Sequence, residues 1–451
     1  RLLRAWYYFN LVKHYGGVPL VDQSIFSDDE KIDVPRNTYE ECVNYIVAEC
    51  DAAAAMLPQS YTTGSPDQIR VTKGAALAIK GRMLLYAASP LFNSGPRADD
   101  PGRLVSYAAA DNERWKKAAD AALAVIALKQ YNLYRGSSPY FYELFRQGDA
   151  GPTVESVFTF NFIRSTGNNF QVENISNPPS RSSPNSYAGA SGFPLQELVD
   201  DFDMANGLRI TDPASGYSGI GDNMYANRDP RFYATIQHNG ALRFFGGFNN
   251  QPVNTYTGVI PAGNASVQSA SVDGIYTAGG TKTGYYRYKM VNNNSVSGGG
   301  ELYRPWMLIR YAEVLLNAAE ATNEYSGPTV DVYNWLKDIR NRAGITPGAN
   351  NLYGLKANMT KEEMREAIQH ERRVELAYEE HRFWDVRRWK IAPVTENKEL
   401  HGMEITRAAD GKFSYRKIVV RKHVFTDNMY FWPIPQSEIT KSPAVKQNPG
   451  Y

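Results

Sequence analysis

The sequence predicts a mainly α-helical protein, built on helical hairpins of the tetratricopeptide type and carrying an irregular region of loops and short strands. Two observations support this fold class. Helical periodicity is concentrated towards the two ends of the 451-residue chain. Between them, residues 215–300 hold 15 of the 36 glycines, mixed with short aromatic runs such as ALRFFGGF and TGYYRYKM. Glycine-rich sequence without a sustained period is typical of loops and short strands.

The first 130 residues are expected to form helices. The opening stretch, RLLRAWYYFNLVKHYGG, reads as helix from its first residue and stops at two glycines. Because no capping residue precedes it, we expect that an upstream segment is missing, and with it any signal peptide or lipid-attachment cysteine. The second helix has a capping box, Thr38 with Glu41, and ends before Pro58.

The two cysteines of the chain, Cys42 and Cys50, fall within this second helix. Eight helical residues separate them by about 12 Å, too far for a disulfide. We therefore expect both to be core residues. Two further helical segments follow, IRVTKGAALAIKGRMLLYAASPLFN and RWKKAADAALAVIALKQY.

An antiparallel helix pair is predicted in the second half of the chain. Its first member, RPWMLIRYAEVLLNAAEA, is apolar except for one narrow polar stripe, formed by Arg310, Glu313, Asn317 and Glu320. Its second member, TVDVYNWLKDIRNRAG, ends at Gly344. Alanine-rich contacts over about 40 residues are the pattern of a tetratricopeptide hairpin.

A last helix is predicted from about residue 361 to residue 390, beginning at the capping box of Thr360 and Glu363. Projection at about 100° per residue places Glu371, Glu375, Glu379 and Arg382 on one stripe. A glycosidase needs carboxylates on opposite sides of the scissile bond, one of them with a raised pKa. Neighbouring glutamates on one helix do not provide that arrangement. The pattern favours structural ion pairs with arginines of other segments.

Composition and motifs favour a binding protein over an enzyme. Basic residues exceed acidic ones by only two, so no net field attracts nucleic acid. No run of about 18 apolar residues occurs. No HExxH, nucleophile elbow, phosphate loop or dinucleotide fingerprint is present, and we predict no metal site and no cofactor. The 30 tyrosines suit either a large core or a carbohydrate or peptide contact surface.

Several segments together resemble the SusD/RagB family. They include LRAWYYFNLVKHYGGVPLV, RVTKGAALAIKGRMLLYAASPLFN, FPLQELVDDFDMANG, YANRDPRFYATIQHNG, LIRYAEVLLNAAEA, ERRVELAYEEHRFWDVRRWK and YFWPIPQSEI, in order along nearly the whole chain. The resemblance implies one unit over residues 1–451. Its helical parts are 1–130 and 301–390, its loop- and strand-rich part is 131–300, and its C-terminal tail is 391–451.

The resemblance also implies a function. Such proteins are outer-membrane lipoproteins of Bacteroidota that face the cell exterior and partner a SusC-like TonB-dependent transporter. They bind oligosaccharides, and some bind peptides, without acting as enzymes. Peptide binding, a purely structural role at the transporter and glycoside hydrolysis remain the alternatives.

Ligand-binding residues of this family vary with the glycan, so candidates must come from chemistry. Sugars stack on aromatic faces and bond to Asn and Arg side chains on loops. The aperiodic stretch 161–189 fits this description, and its candidate residues are Arg164, Asn168, Asn169, Phe170, Asn185 and Tyr187. A competing surface lies in residues 215–300, where Tyr217, Phe245 and Tyr256 are the candidate rings.

Overall fold

Helices dominate the structure, a computed structural model that describes residues 1–21, 27, 33–62, 67, 70–136, 143–145, 154–161, 176, 178, 191–243, 251–262, 265–268, 271, 273–277, 279–291 and 305–451. The helices of these residues are α1 Leu2–Tyr15, α2 Tyr39–Met56, α3 Lys73–Ala88, α4 Glu113–Ala127, α5 Gln196–Asp201, α6 Pro230–Thr235, α7 Tyr311–Ser326, α8 Val330–Ala343, α9 Lys361–Glu375, α10 Arg382–Arg388, α11 Ala392–Thr395 and α12 Gln436–Lys441. The mainly helical fold class is confirmed.

The longer helices pack in sequence order. Contacts link α1 to α2, α2 to α3 and α3 to α4, after which α4 packs on α7 and α7 on both α8 and α9. Small residues make the close approaches possible: a side chain at Gly81 on α3 would come within 3.6 Å of the backbone of α4 at Ala122. The predicted pair of helices ending at Gly344 is present, and Gly344 has the left-handed conformation of a helix stop. The start of the first member was predicted wrongly: Pro305–Arg310 is a strand that pairs with Ser156–Asn161, and the helix begins at Tyr311.

Both predicted capping boxes are confirmed. Thr38 and Glu41 cap α2 reciprocally, and Thr360 and Glu363 cap α9 in the same way. Cys42 and Cys50 are both buried free thiols, as predicted. The core around them is aromatic, and the rings of Tyr39 and Phe92 stack in it at 4.3 Å. Complete burial of one such ring contributes about 1.5–3 kcal/mol.

The predicted helix from 361 to 390 is wrong in its second half. Helix α9 ends at Glu375, and the chain turns before α10 begins at Arg382. Within this turn, Tyr378 and Glu380 have φ angles of 63° and 65°, which no continuous right-handed helix allows. The turn brings the Glu379 carboxylate to Arg310 and Lys289. Tertiary ion pairs override the local helical pattern here.

The described strands are β1 Ser156–Asn161, β2 Ile236–Gln237, β3 Leu242–Arg243, β4 Gln251–Pro252, β5 Thr257–Ala262, β6 Ala265–Gln268, β7 Tyr286–Arg287, β8 Pro305–Arg310, β9 Glu399–Arg407 and β10 Phe413–Lys422. Most of those in the middle of the chain are short, as predicted. Antiparallel pairs join β1 with β8, β2 with β7 and β3 with β4. A further sheet has the order β10-β9-β5-β6, in which β5 runs parallel to β9.

The longest described strands, β9 and β10, lie within the predicted C-terminal tail, 391–451. They form a hairpin that the sequence analysis did not predict. Its turn includes Asp410 and Gly411, and Gly411 has a φ of 85°. An Asp-Gly pair between alternating strands is a strong hairpin signal.

Candidate ligand-binding site

The glutamates that the sequence places on one stripe lie in a buried ion cluster. The Glu375 carboxylate accepts hydrogen bonds from Arg310 at 2.7 Å, from Arg231 at 2.9 Å and from Arg342. Glu371 binds Arg231 at 2.5 Å and Arg340 at 2.7 Å. The cluster therefore ties α9 to β8, α6 and α8.

Two further carboxylates of the cluster, Glu155 and Glu379, come from distant parts of the sequence. Glu155, just before β1, accepts bonds from Arg310 and Arg342, each at 2.7 Å. Glu379 binds Arg310 at 2.6 Å and Lys289 at 2.7 Å. The remaining residue of the predicted stripe, Arg382, is not in the cluster and lies near Asp201 and Arg373 instead.

The ion pairs of this cluster have a structural role, and their pKa shifts do not suit acid–base catalysis. Burial alone would raise the pKa of Glu375, but the charges of Arg342, Arg310 and Arg231 hold that pKa far below its ordinary value. The pKa of Glu371 is likewise lowered, against the effect of burial, by Arg231 and Arg340. A general acid for glycoside cleavage needs the opposite shift and access to substrate. The structural interpretation of the stripe is confirmed.

The polar stripe on α7 serves a similar purpose. Glu313 binds Arg82 at 2.7 Å, and Asn317 binds Arg372 at 2.7 Å. Glu320 binds Arg388 at 2.7 Å, and it also accepts from the Trp389 indole at 2.7 Å. All are buried, so α7 is connected to α3, α9 and α10 by charge-assisted hydrogen bonds.

The loop candidates Arg164, Asn168, Asn169, Phe170, Asn185 and Tyr187 lie outside the described residues. They remain predictions. Strand β1, which precedes this stretch, ends at Asn161 and pairs with β8 so that Phe160 lies opposite Trp306.

The structure describes two of the three competing candidate rings in residues 215–300. Tyr256 is only 6% exposed and packs in a core with Phe232 and Tyr285, so it does not offer a face to a ligand. That part of the alternative is wrong. Tyr217 is half-buried beside Arg228, and Phe245 lies outside the described residues.

A cavity of about 50 Å³ provides a different candidate. We call it the tryptophan pocket, because Trp6 from α1, Trp306 from β8 and Trp384 from α10 line it. Helix α3 and the turn between α9 and α10 complete its walls. Three of the seven tryptophans of the chain thus line one cavity.

Three polar groups complete this pocket. The Lys13 ammonium lies 4.5 Å from the centroid of the Trp384 ring, a favourable cation–π distance. Tyr86 is buried, and its hydroxyl has no hydrogen-bond partner in the described part of the chain. Glu380 is exposed at the rim and its charge acts on Lys13. The pocket thus offers a cation, an anion and a hydroxyl beside flat rings.

An aromatic surface continues from the pocket along α10. The His14 ring lies between Trp384, at 4.5 Å, and Trp432, at 4.8 Å. Phe383 contacts Trp384 at 4.8 Å and carries the Arg387 guanidinium on its face at 3.4 Å. Phe383 is 43% exposed and Trp432 is 45% exposed. Partly exposed rings of this kind give a ligand an apolar surface to stack on.

Sequence reasoning missed this pocket because its walls come from four distant segments. One local signal was present: Trp6, Asn10 and Lys13 follow one face of α1 at spacings of four and three. A lysine and an amide among aromatic residues on a helix face indicate something other than plain core packing.

In the part of the chain that the structure describes, no group of three or more His, Cys, Asp or Glu side chains is placed to hold a metal ion. Among these same residues, no helix combines the length and the apolar character needed to cross a membrane.

The fold is that of helical-hairpin proteins with an inserted region of loops and short strands. The chain belongs to the SusD family, whose sequence profile matches residues 154–451. Residues 1–85 match a second profile, described as starch-binding and associating with the outer membrane.

Individual relatives agree with this assignment. The SusD-like protein P2 of Formosa agariphila is 23% identical over 99% of this chain and 72% of its own length. A crystal structure of a SusD-like protein from Bacteroides fragilis shares 29% identity, with a TM-score of 0.77, over 100% of this chain and 78% of that one. Another from the same species, described as a SusD-like carbohydrate-binding protein, has a TM-score of 0.71 at 24% identity, over 99% and 78% of the two chains.

Proposed function

We propose that this protein captures an oligosaccharide at the cell surface and delivers it, uncleaved, to a SusC-like TonB-dependent transporter. The observation that carries the proposal is the tryptophan pocket, where Trp6, Trp306 and Trp384 surround the polar groups of Lys13 and Tyr86. The description of one similar structure as a carbohydrate-binding protein supports the same ligand class.

The chemistry of the pocket suits a sugar. A pyranose ring has apolar faces and a rim of hydroxyl groups, so it stacks on indole while its rim forms hydrogen bonds. Each stacking contact contributes on the order of 1 kcal/mol beyond the burial of apolar area. Glu380 accepts hydrogen bonds from hydroxyl groups, and Lys13 donates to them. The aromatic surface of Phe383 and Trp432 extends the contact beyond a single sugar residue.

Calorimetric titration with a panel of neutral and acidic oligosaccharides tests this proposal. We expect saturable binding without release of reducing ends, and a loss of at least tenfold in affinity for Trp384→Ala. Tyr7→Ala is the matched control, because Tyr7 is an aromatic residue of α1 that is 63% exposed and does not line the pocket.

Other outcomes would replace the proposal. Binding of peptides without binding of glycans would favour the peptide-import alternative. Release of reducing ends at enzymatic rates would overturn the non-enzymatic role. Absence of any ligand would leave a structural role at the transporter.

The location and the partner are also proposed. We propose an outer-membrane protein held by a lipid on a cysteine upstream of Arg1, in agreement with the outer-membrane description of the profile that matches residues 1–85. Expression of the full-length gene product with labelled palmitate, followed by mild-detergent purification, tests both points. We expect label on the protein and a large β-barrel transporter in the same fraction. An unlabelled protein in the aqueous fraction would contradict this location.

A further inference from the structure

Lys13 differs from the other lysine that packs near the turn after α9. Lys289 donates to the Glu379 carboxylate at 2.7 Å and to the Glu375 carbonyl at 2.9 Å. Within the described part of the chain, no carboxylate lies within 4.0 Å of the Lys13 ammonium. Its contacts are the rings of Trp384, at 4.5 Å, and Phe9, at 5.7 Å. A cation withdrawn from water and lacking a counter-ion is costly to maintain.

The neighbouring charged groups leave Lys13 without a direct ion pair. Arg82, on the neighbouring α3, is itself neutralised by Glu313. Glu379 is engaged by Arg310 and Lys289 on the far side of the turn. Glu380 stands at the solvent-exposed rim, where water screens its charge. The ammonium group therefore has no carboxylate in ion-pair contact, although Glu379 and Glu380 also line the cavity.

We propose that the tryptophan pocket recognises an acidic sugar, with the carboxylate of a uronic acid residue accepting a hydrogen bond from Lys13. This inference rests on the proposed function and specifies its ligand. A cavity of about 50 Å³ accommodates a carboxylate group, while the indole faces take the ring that bears it. The Tyr86 hydroxyl, buried and without a described partner, adds a donor for the second carboxylate oxygen.

The test compares one oligosaccharide in two charge states. Oligogalacturonate and its fully methyl-esterified form have the same rings, but only the former carries carboxylates. We expect the native protein to bind the acid at least tenfold more tightly than the ester. Lys13→Gln should remove this difference by weakening binding of the acid at least tenfold more than binding of the ester, which loses only a neutral hydrogen bond. Lys13→Arg should retain most of the preference, because the charge remains.

Matched controls keep the test specific. Lys117→Gln removes an exposed lysine of α4 and should leave both affinities unchanged. Thermal unfolding of each variant confirms that it is folded. A peptide is the other source of a carboxylate, so a peptide with a free C-terminal carboxylate is compared with the same peptide amidated at its C-terminus. A stronger preference for the acid in the peptide pair than in the sugar pair would overturn the sugar assignment.

The outcomes separate this inference from the proposed function. Equal affinity of native protein for acid and ester, with loss of both in Trp384→Ala, would overturn the acidic preference and retain glycan capture. Failure of every oligosaccharide to bind would overturn both. If Lys13→Gln lowered the affinities for acid and ester equally, Lys13 would not be the residue that distinguishes the carboxylate from its ester.

Discussion

Arg231 donates a hydrogen bond to Glu371 at 2.5 Å across 140 residues of sequence, and the same guanidinium nitrogen reaches Glu375 at 2.9 Å. Through this arginine the region before β2 is fixed directly to α9. The folded position of the middle of the chain therefore depends on charges that are buried at the other end of the sequence.

Removal of one carboxylate from this cluster should be strongly destabilising. In Glu375→Gln, the charges of Arg231, Arg310 and Arg342 lose a shared partner in a site from which water is excluded. We expect the free energy of unfolding to fall by about 3–5 kcal/mol, measured by urea denaturation. Glu362→Gln, on the exposed side of the same helix, should change it by less than about 0.5 kcal/mol. Equal stabilities of the two variants would contradict the role assigned to the cluster.

Acid should unfold the protein through these carboxylates. Arg82 and the nearby positive charges outweigh burial and lower the pKa of Glu313 to about 2, and the pKa of Glu375 is also lowered from 4.5. Because the folded pKa values are depressed, the stabilisation is fully present above about pH 5 and is lost as the pH falls towards the folded values. Each carboxylate contributes up to about 1.4 kcal/mol per pH unit.

Melting temperatures measured from pH 7 to pH 3 check this prediction. We expect them to fall below pH 5, and to fall less steeply in Glu313→Gln, which has one fewer carboxylate to protonate. A slope that the substitution leaves unchanged would mean that Glu313 is not among the groups responsible.

Binding of an acidic oligosaccharide should weaken at alkaline pH. Burial, together with the charge of Arg82, lowers the pKa of Lys13 to about 8. The ammonium form that attracts a carboxylate is therefore complete near pH 7 and is lost as the pH rises past 8, with affinity falling up to about tenfold per pH unit.

The other titratable groups that face Lys13 do not change in this window. Burial lowers the pKa values of His14 and His381, so both stay neutral above pH 7. Burial raises that of Tyr86, while the Glu379 carboxylate and the Arg82 guanidinium keep their charges, and Glu380 lies at the exposed rim. Titrations between pH 7 and pH 9.5 should show the decline for oligogalacturonate but not for its methyl ester, and Lys13→Arg should abolish it. A decline shared by both ligands would point to another group.

The loop candidates give a separate prediction. Replacing Phe170 or Tyr187 by Ala should weaken glycan binding roughly tenfold without lowering the melting temperature, because one stacking contact of about 1 kcal/mol is lost from a site that the core does not need. Calorimetry on these variants beside Trp384→Ala measures the two regions against each other. Unchanged affinity in both loop variants would confine the site to the tryptophan pocket.

Local sequence signals predicted the helices well where local chemistry determines them. The capping boxes of Thr38 and Thr360 and the stop at Gly344 act within a few residues, so the sequence alone was sufficient there. The break after Glu375 could not be predicted in the same way. Its cause is the attraction of Glu379 to Arg310 and Lys289, which are distant in sequence.

The candidate site was harder to predict. Trp6, Lys13, Trp306 and Trp384 meet only after α1, β8 and α10 have packed, and no spacing within one segment reveals that meeting. The β9–β10 hairpin is a different case, because Asp410-Gly411 between alternating strands was a readable signal. The sequence analysis assigned this region, residues 391–451, to a C-terminal tail.

On both sides of the stretch 162–195, the chain is held in place by hydrogen bonds to distant residues. Before it, Glu155 is held by Arg310 and Arg342. After it, the Gln196 amide oxygen accepts a hydrogen bond from the Tyr285 hydroxyl at 2.6 Å. A different segment placed between these points would join two ends that residues elsewhere in the chain already hold. We therefore expect that replacing this stretch by that of a related chain would change ligand recognition and leave the supporting helices in place.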